Sequence, residues 1–219
     1  MNINYVYKER KMPKYGDYRD SIQYLVDSNP GQMSFEEYNH IYELIKSKNG
    51  CNLLVFGLGR DSNLWIDANF GGKSVFLEDN QQWIESAQVH MRNLNKQIDI
   101  RHIKYNDTGY DAERLLSEYD SGKNNLKLNL PQDIFTTDWD IIICDAPEGY
   151  NDEKPCRMKS IYEAYNLSNK KPNIDVVFHD VQRRIETLYT KYFFDNYEVV
   201  KTIDDGTTPV LKHYRSKSV

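Results

Sequence analysis

Five short groups of residues have the types and spacing to do chemistry. They are Gly57-Leu58-Gly59 with Asp61 and Ser62, Glu78-Asp79, Asn106-Asp107-Thr108, Asp145 to Tyr150, and His179-Asp180. The first begins where an apolar run, Leu53-Leu54-Val55-Phe56, stops at two glycines. Glycine lets the backbone turn tightly there and bring its amides close to a ligand. Roughly twenty residues on, a second apolar run, Val75-Phe76-Leu77, delivers Glu78, the distance at which an acid meets ribose hydroxyls. A dinucleotide fingerprint would need glycine where Ser62 stands, so a pyrophosphate cradle is disfavoured. A nucleoside without phosphates, such as S-adenosylmethionine, fits better. Phe56, Gly57, Gly59, Asp61, Ser62, Glu78, Asp79 and Asn106 are the candidate contacts to it.

Methyl transfer from a sulfonium to a hydroxyl is an in-line displacement. The protein must align the oxygen and take its proton. Asp145, at the end of the run Trp139 to Cys144, is the first candidate base; the plainer reading is an aspartate capping the turn Ala146-Pro147-Glu148-Gly149. His179 is the second, set against the equally ordinary role of a hydrogen-bonded structural histidine. Adjacent strand residues face opposite ways, so only one of His179 and Asp180 is expected to look into the pocket. Asp145 and Asp180, with His179 nearby, also raise a divalent metal. Oxygen ligands suit magnesium, and a histidine tilts the choice toward manganese, cobalt or zinc.

The elements that must carry these residues are legible. Ser34 and Glu37 make a capping box before Phe35, Tyr38, Ile41, Tyr42 and Ile45 at helical spacing. Asp61 and Ser62 are placed to cap a helix with Leu64, Trp65 and Ala68 on its apolar side. Trp83, Ile84, Ala87 and Met91 mark another helix, and Ile98 to Tyr105 a third strand. Residues 109–133 are polar and poorly periodic, with a helix around Ala112 to Tyr119. Helices over Arg157 to Leu167 and from Ile185 to Phe193 flank a strand at Ile174 to Phe178. Tyr197 to Ile203, a turn at Asp204-Asp205-Gly206, and Val210 to Tyr214 read as an antiparallel hairpin. The prediction is an α/β fold: a Rossmann-like, doubly wound, mostly parallel sheet with an antiparallel C-terminal hairpin. Residues 1–33 form an N-terminal arm and 34–219 the domain. In such sheets ligands sit at the carboxyl ends of the strands, where all five groups fall.

The chain has 219 residues and a net charge of −5. Nothing in that balance calls for nucleic acid, and the one basic cluster, Lys8, Arg10, Lys11 and Lys14, reads as a solvated arm. Cys51, Cys144 and Cys156 lack metal-ligand spacing and suit a reducing compartment. With no apolar leader and no run of spanning length, no membrane partner and a cytoplasmic location are expected.

VFGLGRDSNLW, VFLEDNQQWIE, WDIIICDAPEGYNDEKPCRM followed by IY, and VVFHDVQRRIE resemble, in that order, the plant glucuronoxylan 4-O-methyltransferases and their relatives. The likeness runs from about Ser34 to Val181, and Cys156 stands where the plant pattern has glycine. The resemblance implies an S-adenosylmethionine-dependent enzyme that methylates a sugar hydroxyl of a glycan, either a uronic acid or a deoxyhexose such as rhamnose. It implies that Gly57, Gly59, Asp61 and Ser62 hold the methionine end and Glu78 the ribose. The acceptor side falls in DAPEGYNDEKPCRM, through Asp145, Glu148, Tyr150, Asp152, Glu153 and Arg157. A chain this rich in Lys, Asn and Tyr suits a microbial or large-DNA-virus relative, and it could be one module of a larger glycan-synthesis protein. The competing readings are an NAD-dependent oxidoreductase on the same layout and a non-catalytic glycan-binding module.

Overall fold

The computed structural model describes residues 17–204, 206 and 209–217. The basic cluster Lys8 to Lys14, the first half of the N-terminal arm and Asp205 of the hairpin turn lie outside these residues. Helices α1 (Tyr18–Ser28) and α2 (Phe35–Ser47) lead into strand β1 (Asn52–Phe56). The order continues α3 (Ser62–Ala68), β2 (Lys73–Glu78), α4 (Gln81–Asn93), β3 (Asp99–His102), α5 (Ala112–Asp120), α6 (Gln132–Thr136), β4 (Ile141–Cys144), α7 (Met158–Ser168), β5 (Asp175–Phe178), α8 (Arg184–Phe194), β6 (Glu198–Ile203) and β7 (Leu211–Arg215). A 3-10 turn, Gly109–Asp111, precedes α5.

The sheet runs β3-β2-β1-β4-β5-β7-β6. Its first five strands are parallel, and β7 enters antiparallel between β5 and the edge strand β6. Side-chain alternation divides the core into two layers. Leu54, Phe56, Val75, Leu77, Ile142, Cys144, Val176 and Phe178 face α5, α7 and α8. Leu53, Val55, Phe76, Ile141, Ile143 and Val177 face α1, α2, α3 and α4. Strands buried on both faces explain the nearly continuous apolar runs of the sequence. No helix among the described residues is long and apolar enough to cross a membrane.

The polar stretch before β4 holds more order than its composition suggests. Leu126, Leu128 and Leu130 are all buried in the α5–α7–α8 layer. The Glu163 carboxylate accepts from the Leu128 amide at 2.7 Å, and the short α6 follows. Alternate leucines between lysines and asparagines were the available signal.

Strand register positions the site. Leu77 pairs with Phe56, Phe56 with Cys144, and Cys144 with Phe178. The next residue on each chain is therefore Glu78, Gly57, Asp145 and His179, side by side on one rim.

Candidate active site

Gly57 has φ +119, and a Cβ there would lie 3.2 Å from Ala146 Cβ and 3.4 Å from the Asp145 carbonyl carbon. Glycine is needed because the β1 turn and the β4 turn touch at this point. A Cβ on Gly59 would fall 2.3 Å from Asp61 Oδ1, so the Asp61 carboxylate occupies the space glycine leaves. Asp61 does sit at the N-cap position of α3, but its side chain makes no capping hydrogen bond. The expected cap is corrected: the carboxylate instead packs against Gly59, hydrogen bonded to the Trp65 side chain and within reach of the Asp145 and His179 charges. Burial, with Asp145 adding to it, pushes the Asp61 carboxyl up to about 7. Ser62 is the first residue of α3, buried, with Oγ lacking a hydrogen-bond partner.

Glu78 is buried at the end of β2. Its Oε2 accepts from the Leu58 amide at 3.0 Å, and its Oε1 from the Asp79 and Asn80 amides at 3.1 and 2.9 Å. The acid is thereby tied to the glycine turn. Burial outweighs the three amides and pushes its carboxyl up to about 7. The Trp83 indole donates to the Leu58 carbonyl, and Asn80 caps α4 through the Trp83 amide. Asp79 is half-buried beside this turn, Asn106 is exposed after β3, and the Phe56 side chain lies wholly in the core.

The second half of the rim is a charge cluster built around Arg157. Its Nη2 lies 2.9 Å from Asp145 Oδ1 and 2.8 Å from Asp180 Oδ2. Nε donates to the Pro147 carbonyl and Nη1 to the His179 carbonyl. Arg157 is only 3% exposed, so the residue read as facing the acceptor is an internal brace. His179 Nδ1 is hydrogen bonded to Asp145 Oδ1 at 3.0 Å and lies 3.5 Å from Asp180 Oδ2. The expectation that only one of His179 and Asp180 faces the site is corrected as well. Asp180 has φ +62, which breaks the strand alternation just after β5 and brings both side chains to Asp145.

Burial pushes the Asp145 carboxyl up, but the His179 and Arg157 charges outweigh it and hold it at about 2. Burial disfavours the His179 cation, and Asp145 more than offsets this, so the imidazole titrates above its ordinary value. Two acids that sequence reasoning missed complete the cluster. Glu37, from the capping box of α2, has Oε1 3.8 Å from His179 Nε2. Glu186 on α8 is buried, with neither carboxylate oxygen hydrogen bonded. The capping box pointed to Glu37 as a helix start only, and nothing local marked Glu186.

The remaining acceptor-side candidates line the chain after Asp145. Glu148, Tyr150 and Glu153 are exposed, and half-buried Asp152 pairs with Arg184 at 3.1 Å. Asp145, His179 and Asp180 each offer a ligand atom within 4.8 Å of the others, the described group able to hold a metal ion.

The IRX15/IRX15L/GXM family model matches residues 36–214. Glucuronoxylan 4-O-methyltransferase 2 of Arabidopsis thaliana is 33% identical over 187 residues, which is 78% of this chain and 63% of that protein. Arabinogalactan O-methyltransferase 2 of the same plant is 34% identical over 198 residues, 81% of this chain and 67% of that protein. The chain thus spans about two thirds or less of the length of these relatives. Among solved structures, the O-methyltransferase from Bacillus cereus in complex with SAH has a TM-score of 0.55 at 15% identity, covering 98% of this chain and 96% of that one. A methyltransferase from Pyrococcus furiosus has a TM-score of 0.53 at 14% identity, covering 86% and 87%. At such identities the likeness establishes the fold, the Rossmann-like architecture of class I methyltransferases, as the strand pattern predicts. Since the family match runs from the first turn of α2 into β7, the chain belongs to the IRX15/IRX15L/GXM family.

Proposed function

We propose that the protein is an S-adenosylmethionine-dependent O-methyltransferase acting on a sugar hydroxyl of a glycan. The observation that carries this reading is the pairing across the β1 turn: Glu78 hydrogen bonded to Leu58 on one side, Asp145 packed against Gly57 on the other. A ribose-holding acid and a proton acceptor thus flank one glycine turn. The donor fits the residues present. Ser62 Oγ is a buried hydroxyl without a partner, and such an atom costs about 1–3 kcal/mol until a ligand satisfies it. The surplus of buried acids suits a sulfonium cation.

The donor supplies an already activated methyl group when bound. Of the roughly four lone-pair sites of the Glu78 carboxylate, three accept backbone amides and one is left for a ribose hydroxyl. The acceptor hydroxyl becomes strongly acidic only as its new O–C bond forms, so a carboxylate held at about 2 is still a competent late acceptor of its proton. Asp145 is only partly exposed, with Oδ1 held by Arg157 and His179, which leaves Oδ2 for the substrate. His179 serves as the imidazolium partner that fixes this orientation, not as the base.

Once His179 gives up its proton, the donor set of two carboxylates and an imidazole also fits a divalent cation, of the manganese, magnesium or cobalt kind. Asp180 Oδ1, buried without a hydrogen-bond partner, is the atom such an ion would satisfy, and the ion would polarise the acceptor hydroxyl. Calorimetric titration with Mn²⁺ and Co²⁺ is expected to show saturable binding that Asp180→Asn removes. No heat from either ion, with turnover unchanged in EDTA, would leave charge balance to Arg157, Arg183 and His179.

The test of the donor reading uses S-adenosylhomocysteine. Ribose hydroxyls favour an ionised Glu78, whose carboxyl in the free protein sits at about 7. Affinity should therefore rise with pH and level off above about 7, being about tenfold weaker one pH unit below. Binding should release a proton in this range, and Glu78→Gln should flatten the profile. The same raised value makes the free fold lose stability as pH climbs from the ordinary glutamate range through about 7. Calorimetry across pH 5.5 to 8.5 reads both. NAD binding in place of S-adenosylhomocysteine would replace the proposal with the oxidoreductase reading.

A further inference from the structure

The loops that carry the acceptor side leave two large aromatic rings in solvent. Tyr110 is 69% exposed and Tyr150 60%. They belong to different crossings of the sheet, yet the backbone holds their loops together. The Gly109 amide donates to the Lys154 carbonyl at 3.1 Å and the Tyr110 amide to the Asp152 carbonyl at 3.3 Å. A Cβ on Gly109 would come 2.6 Å from Asp152 Cα, so the two chains are in direct contact. Tyr110 and Tyr150 are therefore carried by two loops braced against each other, the second of which leads from Asp145. Tyrosine there offers an apolar face with a polar tip, matching the C–H face and hydroxyl edge of a pyranose.

Charge on the same surface is already balanced. Every Lys and Arg from 145 to 160 and from 179 to 186 sits in an ion pair. Arg157 holds Asp145 and Asp180, and Arg183 lies 3.0 Å from Asp180. Arg184 pairs with Glu113 and Asp152, Lys159 with Asp107 at 2.6 Å, and Lys154 with Glu148 at 3.5 Å. A sugar carboxylate would arrive beside Asp145, Asp180 and the buried Glu186 with each of these cations, and the His179 imidazolium on Asp145, already committed to an acid, and like charges brought together oppose binding.

We propose that the acceptor is an uncharged sugar seated on Tyr110 and Tyr150, and not a uronate. This rests on the O-methyltransferase reading for its chemistry, while the platform itself is a statement about sugar binding. Lys154, whose pair is the longest, is the cation a uronate would recruit.

The experiment titrates gluco- and galacto-oligosaccharides, a 6-deoxyhexose oligosaccharide, and the C6-oxidised uronate forms of the first two. Calorimetry and saturation-transfer NMR are run with and without S-adenosylhomocysteine. Neutral sugars are expected to bind about tenfold more tightly than their uronate counterparts. Tyr110→Ala and Tyr150→Ala should each weaken that binding about five- to tenfold, leave S-adenosylhomocysteine affinity unchanged, and be rescued by Phe. Uronates that bind as well or better, with Lys154→Ala reducing their affinity, would overturn the proposal. So would sugar affinity indifferent to both tyrosines, or no sugar binding at all. If S-adenosylhomocysteine fails to bind, the methyltransferase reading falls, and the sugar titration still decides the platform on its own.

Discussion

Asp145→Asn is expected to lower kcat by about 10²–10⁴-fold, the span lost when a positioned proton acceptor is removed. The amide keeps an oxygen that can accept from Arg157 and changes side-chain volume little, so the fold should survive. What disappears is the anionic oxygen left over after Arg157 and His179 take Oδ1. In the proposed donor site S-adenosylhomocysteine would be held by Glu78 and the glycine turn, so its affinity should move far less than kcat. That split identifies a group acting in the transition state rather than in cofactor binding. Single-turnover methyl transfer by the two forms, with calorimetry alongside, makes the comparison. A variant retaining turnover within about threefold would leave proton removal to Asp61 or water. Asp61 is the instructive competitor, because its carboxyl at about 7 is the better base in solution terms. It lies under Gly59 at the donor end, however, and an acceptor oxygen must approach from the side opposite the sulfonium leaving group.

How much of this was legible follows from how local each interaction is. The capping box of α2 needs only Ser34 and Glu37, and the structure shows both of its hydrogen bonds. The β1–turn–α3–β2 unit was equally readable, since strand burial, a glycine break and an acid at fixed distance occupy one stretch. The hairpin was visible as a hairpin. Its insertion with β7 against β5 was not, because side-chain patterns do not name their partners. The charge cluster was the hardest to read. Asp145, Arg157, Asp180, Glu186 and Glu37 come from different crossings, and whether an arginine faces solvent or the core depends on which carbonyls surround it. The loss of alternation at His179-Asp180 rests on one positive φ, which an aspartate tolerates but does not announce. Of the residues read as facing the acceptor, Glu148, Tyr150 and Glu153 are exposed, while Arg157 is buried between Asp145 and Asp180.

Arg157→Met should be among the most destabilising single changes in the protein. The guanidinium is the counterion of two carboxylates, one of them almost fully buried, and it donates to the Pro147, His179 and Asp145 carbonyls. Methionine fills comparable space but leaves Asp180 with Arg183 and the more distant His179 ring, and Asp145 with His179. Breaking one side of a buried pair costs about 3–5 kcal/mol, which for a domain of this size lowers Tm by roughly 6–20 °C. Removing the stranded charge as well tests the cause: Arg157→Met with Asp180→Asn should recover part of the loss, a coupling that independent sites would not show. pH supplies the second check. The Asp145 carboxyl is depressed from 3.8 to about 2 in the folded protein, so its contribution is fully present above the ordinary carboxylate pKa and lost as pH falls toward about 2. The gap in Tm between parent and variant should accordingly be widest above that ordinary value and narrow with acidification. A gap that stays constant into acid, with no recovery in the double variant, would mean that Arg157 acts by packing its stem and by its carbonyl hydrogen bonds. The charge balance on which both the Asp145 mechanism and the neutral-acceptor surface depend would then need another source.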